Sequence, residues 1–220
     1  MSSSAAVFHG HQLACERGGR VVFARLDFAV AAGELLVLRG PNGSGKSTLL
    51  RLMAGLTPAL AGALSWGDGP ALADRLRHQA RLRYIGHQDA VKPALSLREN
   101  LESWRRLRPG GGPGDQEAAD RALDRFGLLH LADLPARLLS AGQRRRLALA
   151  RLAVAPAPLW LLDEPGTALD SDGSARLDRA IREHLAGGGR AVLSSHGDVA
   201  VAGRALDLAE FRAPAGGWPA

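Results

Sequence analysis

The sequence predicts an α/β fold built on a mainly parallel sheet, and three observations carry that expectation. Leu35-Leu36-Val37-Leu38 is a continuously apolar run that leads through a glycine-rich loop into a helical pattern. Two further apolar runs, Leu159-Trp160-Leu161-Leu162 and Ala191-Val192-Leu193-Ser194-Ser195, come with helical stretches before and between them. A long helical and charged stretch lies between the first run and the other two. Strands that alternate with helices pair in parallel, because the helix is the crossover that brings the chain back in the same direction. The long stretch then reads as a helical block inserted in the middle of that layout.

The elements follow in order. Val21-Val22-Phe23, after the turn signal Gly18-Gly19, and Leu26-Asp27-Phe28-Ala29-Val30, which alternates apolar with polar or small residues, read as short strands. After the Ala32-Gly33-Glu34 turn, the unbroken apolar run 35–38 fits a strand covered on both faces. Residues 47–56 read as a helix that can bury Leu49, Leu50, Leu52 and Met53, with Gly55 and Pro58 ending it. Residues 75–136 read as helical and charged, broken by a Pro109-Gly110-Gly111-Gly112-Pro113-Gly114 linker. Past it, Asp115, Glu117 and Asp120 crowd the start of a helix, where the macrodipole favours anions. A further helix is expected over 144–154.

Composition narrows the class. At 220 residues the chain suits one large domain or two small ones, and 46% apolar with 23% charged residues excludes a disordered tail, a collagen-like repeat and a coiled coil. No apolar run approaches the ~20 residues that cross a bilayer. The start, Met1-Ser2-Ser3-Ser4-Ala5-Ala6, has no basic and apolar regions of the kind that mark secretion, and the single Cys15 suits a reducing compartment, so the expectation is cytosolic. A net charge of +6 invites a nucleic-acid reading. Lys46 and Lys92 are the only lysines among 28 basic residues, an arginine skew with the look of genome-wide composition. The arginines are also dispersed and form no continuous phosphate-tracking stripe.

One motif decides the chemistry. Gly40-Pro41-Asn42-Gly43-Ser44-Gly45-Lys46-Ser47 fits G-x-x-x-x-G-K-[ST], directly after an expected strand and before an expected helix. Glycines let the backbone curl so that several N–H groups face a phosphate, and the helix start adds its positive end. Lys46 can reach the β- and γ-phosphates of a nucleoside triphosphate, and the Ser47 hydroxyl can bind Mg²⁺. Asp163, closing the apolar run 159–162, is then expected near this loop, holding Mg²⁺ through water. Glu164 is left to polarise the attacking water.

Leu139-Ser140-Ala141-Gly142-Gln143 precedes the helix at 144–154, so Ser140 and Gly142 stand where a hydroxyl and a bare N–H can grip a phosphate at its positive end. Two phosphate-gripping segments in one chain make sense across a two-fold dimer. Each ATP would lie between residues 40–47 of one copy and 139–143 of the other.

With these segments in place the sequence resembles the ATP-binding cassette (ABC) family over nearly its whole length. The resemblance implies a P-loop fold with an N-terminal antiparallel β subdomain and one domain over 1–220, its helical subdomain at about 89–155. It also implies a nucleotide site running from Gly40 to Thr48 and, in trans, Ser140, Ala141, Gly142 and Gln143. Gln88 matches the family's Q-loop glutamine and joins Ser47 and Asp163 toward Mg²⁺. Ala168-Leu169-Asp170 matches the D-loop, and His196 the switch histidine that senses the γ-phosphate beside Lys46 and Glu164. Two departures stand out: Ala141 replaces the commonest signature glycine, and Arg17 falls where an adenine-stacking aromatic is usual, a guanidinium plane in its place.

Residues 84–92, Glu99-Asn100-Leu101, 139–143 and 158–165 look more narrowly like the ATP-binding subunits of the cytochrome c maturation (haem exporter) system. That implies ATP and Mg²⁺ as ligands, a head-to-tail pair of copies, and integral membrane permease partners that receive the motion through residues 89–104. The place implied is the cytoplasmic face of the inner membrane, with no nucleic acid. The rival reading is a soluble ABC-type ATPase acting on nucleic acid or ribosomes. His9 and His11 are expected at the surface and unconnected with haem.

Overall fold

A computed structural model describes residues 7–107, 116–195, 197 and 199–212. In chain order the elements are β1 (Phe8–Arg17), β2 (Arg20–Val30), β3 (Leu35–Arg39), α1 (Lys46–Met53), β4 (Ala61–Trp66), β5 (Gly69–Pro70), α2 (Arg75–Ala80), β6 (Leu82–Ile85), α3 (Leu97–Arg106), α4 (Gln116–Arg125), α5 (Ala141–Val154), β7 (Leu159–Asp163), α6 (Ser171–Ala186), β8 (Arg190–Ser194) and β9 (Arg204–Asp207). They form an antiparallel sheet in the order β2-β1-β4-β5 and a parallel sheet in the order β6-β7-β8-β3-β9. The α/β class and the N-terminal antiparallel sheet are as expected.

The parallel strands read as unbroken apolar runs because each face of their sheet has its own cover. Leu36, Leu38, Leu159, Leu161 and Val192 face α1 and the antiparallel sheet, packing with Leu49, Leu50, Leu52, Met53, Phe8 and Trp66. Leu35, Val37, Trp160, Leu162, Ala191 and Leu193 turn the other way, toward the helices. There Leu97 and Leu101 of α3, Ala119, Ala122 and Leu123 of α4, and Leu147 and Ala150 of α5 share one core, with α3, α4 and α5 packed against one another. Among the described residues no helix is long and apolar enough to cross a membrane.

Several boundaries differ from the sequence reading. The strands expected at 21–23 and 26–30 are one strand, β2. The pairs Cys15 with Phe23 and Leu13 with Leu26 leave one extra residue on β2, and Arg25 takes φ 54 there, so a bulge interrupts the alternation without ending the strand. A second bulge, at Gln12 (φ 48) on β1, is held by Asp27, whose carboxylate accepts from the Gln12 backbone at 2.8 Å and side chain at 2.7 Å. The helical reading of 75–136 hid β6, because Arg83 sits at a buried position of it. That guanidinium donates to the carbonyls of Leu82, Ala155 and Pro156. Helix α1 stops at Met53, short of 56, with Gly55 in the left-handed region (φ 71). Helix α5 starts at Ala141, three residues before Arg144, because Ser140 caps it. The linker at 109–114 and Asp115 lie outside the described residues, and Glu117 is the acidic residue in the first turn of α4.

Candidate active site

The site begins where β3 ends. Gly40, Gly43 and Gly45 have φ of 127°, 79° and 102°, a backbone that side chains rarely adopt. Packing adds to that demand. A Cβ on Gly45 would lie 2.6 Å from Val22 Cγ1, and one on Gly40 would lie 2.8 Å from Ser44 Oγ. The turn is therefore clamped under the start of β2 with its tip, Pro41, Asn42 and Gly43, exposed. It feeds α1, whose first turn holds no acidic residue and no side-chain cap, so the N–H groups at its positive end are left for an anion.

Lys46 is 6% exposed, and its Nζ donates to the carbonyl oxygens of Gly40 at 2.7 Å and Pro41 at 3.1 Å. The ammonium thus lies folded along the loop that would hold phosphate, with a third proton to give. Ser44 Oγ is buried with no hydrogen-bond partner, a second polar atom in the cradle whose bonding is incomplete. Thr48 is buried in the first turn of α1.

Asp163 closes β7 at 3% exposure. Its Oδ1 accepts from Ser47 Oγ at 3.0 Å and from Ser194 Oγ at 2.8 Å. Ser194 in turn accepts the backbone N–H of Glu164 at 2.9 Å. The parallel register places Ser194 beside Asp163, so β8 ties the last residue of β7 to the next one. Tyr84 stands close enough to respond: burial first, then the Asp163 charge, pushes its phenol above the ordinary range. Glu164 takes φ 47 and borders an open cavity of about 510 Å³ floored by Leu177, Ile181 and Leu193.

The expected signature segment is a helix start closed on itself. Ser140 Oγ accepts from Gln143 N at 3.2 Å, and Gln143 Oε1 accepts from Ser140 N at 2.9 Å, a reciprocal capping box. Ser140 and Ala141 are exposed, and the Ser140 hydroxyl keeps its proton to donate. Gly142 has no room for a side chain, since a Cβ would meet the Ala168 carbonyl oxygen at 2.8 Å. That contact joins the segment to the D-loop candidate, where Ala168 has φ 64 and Asp170 caps α6 by accepting from Gly173 N at 2.8 Å. Among the described residues no hydrogen bond links 139–143 to 40–47 within the chain.

Gln88 is exposed in the loop after β6, and Arg17 is exposed at the end of β1, paired across the hairpin with Arg20. The side chains crowding Gly45 of the P-loop are Val22 and Phe23 of the next strand. His196 lies outside the described residues. Two residues escaped the sequence reading. Ser194 lies inside an expected strand, and only the register of β8 beside β7 marks it as Asp163's partner. Arg145 was one of three successive arginines in a charge run, yet it is 3% exposed and bonded to the segments after β6 and β7.

Comparison with known proteins gives the family and the fold. The sequence profile of the ABC transporter family matches residues 23–167. The cytochrome c biogenesis ATP-binding export protein CcmA of Paramagnetospirillum magneticum is 53% identical over 210 residues, covering 94% of this chain and 96% of that one. Its namesake in Rhodospirillum rubrum is 49% identical over 209 residues, covering 95% and 88%. An ABC transporter ATP-binding protein from Pyrococcus furiosus has the same fold, with a TM-score of 0.82 at 22% identity, covering 94% of this chain and 100% of that one. The chain belongs to the ABC transporter family as one of its ATPase subunits, within the group of cytochrome c biogenesis ATP-binding export proteins.

Proposed function

We propose that this ATPase drives the haem exporter of cytochrome c maturation, working as a head-to-tail pair of copies on integral membrane permease subunits at the cytoplasmic face of the inner membrane. The name and near-full coverage of the relatives support the system. The observation that carries the chemistry is the chain of bonds Ser47–Asp163–Ser194–Glu164. It sets a hydroxyl, a carboxylate and a second carboxylate-bearing residue at one end of the sheet beside Lys46.

Each group then has a task. The backbone of 40–48 wraps the phosphates, and Lys46 exchanges its bonds to Gly40 and Pro41 for phosphate oxygens. Ser47 and Asp163, bonded at 3.0 Å, would hold Mg²⁺, Asp163 through water, with Gln88 as a further ligand. When bound, Mg²⁺ neutralises the charge that builds on the phosphates. Glu164 takes a proton from the water that attacks the γ-phosphate, and His196 contacts that phosphate. Ser140, Ala141, Gly142 and Gln143 of the second copy close over the nucleotide, with Asp170 at the dimer seam and Arg17 beside the base.

Residues 1–220 act as one domain, its helical part at about 89–155 passing motion to the permease through 89–104. Part of the arginine charge is spent in local ion pairs, which weakens the case for a nucleic-acid partner. Arg77 and Arg81 both pair with Asp68, whose carboxyl the Arg81 hydrogen bond holds at about 2. Arg98 pairs with Asp120 and Asp133, and Arg125 with Glu183.

Glu164→Gln tests the reading. Turnover should fall by about 10²- to 10⁴-fold, the range of a lost general base, while ATP binding persists and ATP traps a dimer visible by size-exclusion chromatography. Undiminished phosphate release by that variant would overturn it.

A further inference from the structure

Arg145 is the fifth residue of α5, just past its first turn, near the end of a helix where a cation opposes the dipole. Only strong compensation keeps a guanidinium there, out of water, and the compensation is complete. A guanidinium has five N–H donors in a rigid fork, and all five are used. Nε donates to the Pro165 carbonyl at 3.2 Å. Nη1 donates to the Gly86 carbonyl at 2.9 Å and to Asp89 Oδ1 at 3.1 Å. Nη2 donates to the carbonyls of Asp163 and Glu164, each at 2.8 Å. None of these acceptors is on α5. They belong to the chain segments that leave β6 and β7, on either side of Gln88 and at Glu164 itself.

We infer that Arg145 is a positioning residue for hydrolysis: it holds the Glu164 backbone in its left-handed conformation and locks that residue to the signature helix and to the loop carrying Gln88. Glu164 is not a glycine, so its φ of 47 persists only where its surroundings over-determine it. Two bonds from a single Nη2 to consecutive carbonyls supply that constraint. Because the fork is planar and saturated, α5 cannot shift relative to Glu164 without breaking charge-assisted bonds. When the second copy's nucleotide loads the positive end of α5, the carboxylate that activates water is therefore moved or fixed with it. Lysine cannot take over, since a point ammonium with three donors does not match five acceptors in one plane.

Arg83 provides the internal control. It is also buried (8% exposed) and also bonded to carbonyl oxygens, those of Leu82, Ala155 and Pro156, but at the far end of α5 from Glu164. Purified full-length chain carrying Arg145→Gln, Arg145→Lys or Arg83→Gln is compared with wild type for MgATP turnover, KM and thermal midpoint. A displaced base costs about 10²-fold in kcat for a misplacement near 1 Å, so Arg145→Gln should lose turnover on that scale. Its KM should stay within about threefold, because ATP binding is left intact. Arg145→Lys should be intermediate. Arg83→Gln should lower the melting midpoint and leave kcat per folded molecule unchanged.

The inference fails if Arg145→Gln and Arg83→Gln have equal kcat per folded molecule, or if KM rises in step with the loss. Should Arg145→Gln not fold, wild-type kcat in Arg145→Lys overturns it, and a lowered kcat at constant KM supports it. The inference rests on Glu164 as the base: activity surviving in Glu164→Gln sinks that assignment, whereas an inactive Glu164→Gln beside a fully active Arg145→Lys sinks this one alone.

Discussion

The two segments proposed to grip phosphate are built on opposite plans. Residues 40–48 are set between a parallel strand and its helix, and their functional side chains are held within the same chain: Lys46 by the carbonyls of Gly40 and Pro41, Ser47 by Asp163, and Asp163 by Ser194. Residues 139–143 are a helix start at the surface, with the side chains of Ser140 and Gln143 bonded to each other's backbone. The first is ready-made for a triphosphate. The second is rigid and capped yet unfinished, because its exposed hydroxyl and positive end face no anion of their own chain. On the proposed reading one copy holds ATP and a second copy encloses it.

The sharpest way to break that contrast is to damage each plan separately. Lys46→Ala should cost the most, about 2–5 kcal/mol for removing one partner of a buried charge pair, or about 30- to several thousand-fold in ATP affinity. Fluorescent-nucleotide titration of the single chain measures it, and unchanged affinity would contradict the folded-back ammonium as a phosphate ligand. Ser140→Ala should leave that titration alone. It removes a helix cap worth about 1 kcal/mol, lowering the melting midpoint slightly. In a Glu164→Gln background it should also weaken the ATP-trapped dimer. A dimer as tight as before would remove Ser140 from the interface.

The same contrast governs what could be read from sequence. The P-loop was legible residue by residue because backbone geometry dictates it: three glycines at positive φ, a lysine and a hydroxyl at fixed spacing. Asp163 followed from a strand end. Long-range bonds were not legible. Ser194 matters because β8 lies beside β7, and nothing near it in sequence announces that neighbour. Arg145 looked like a solvated charge between two other arginines, since no local pattern distinguishes the residue that turns inward. Strand β6 was lost for the same reason, its Arg83 being paired with carbonyls seventy-odd residues along the chain. Short edge strands such as β9 carry too few residues to establish a period.

The smallest expected effect separates the two layers by pH. His78, on the P-loop side, accepts from Trp66 Nε1 at 3.1 Å and donates Nε2–H to the Met53 carbonyl at 2.9 Å, at the end of α1. His184, on the helical side, stacks on Trp160 at 3.9 Å, with Nε2 3.0 Å from the Arg190 carbonyl. Burial pushes both below the ordinary histidine value of 6.5. The Arg81 charge adds to it at His78, as do Arg125 and Arg190 at His184, while the carbonyl bonds oppose it. Both rings are thus neutral in the fold, and the unfolded chain binds the extra protons. Their contribution is complete above about pH 6.5 and is lost as pH falls from there toward the folded values, a window above the one in which Asp68 titrates. Urea midpoints at pH 7.5 and 5.5 should therefore differ, with the acid value lower. His78→Gln should flatten the difference, since its amide oxygen can accept from Trp66 and its amide nitrogen can donate to Met53 without ever charging. If His184→Gln flattens it instead, the acid-sensitive joint lies on the helical side of the sheet. An unchanged slope in both variants would mean that neither histidine carries it.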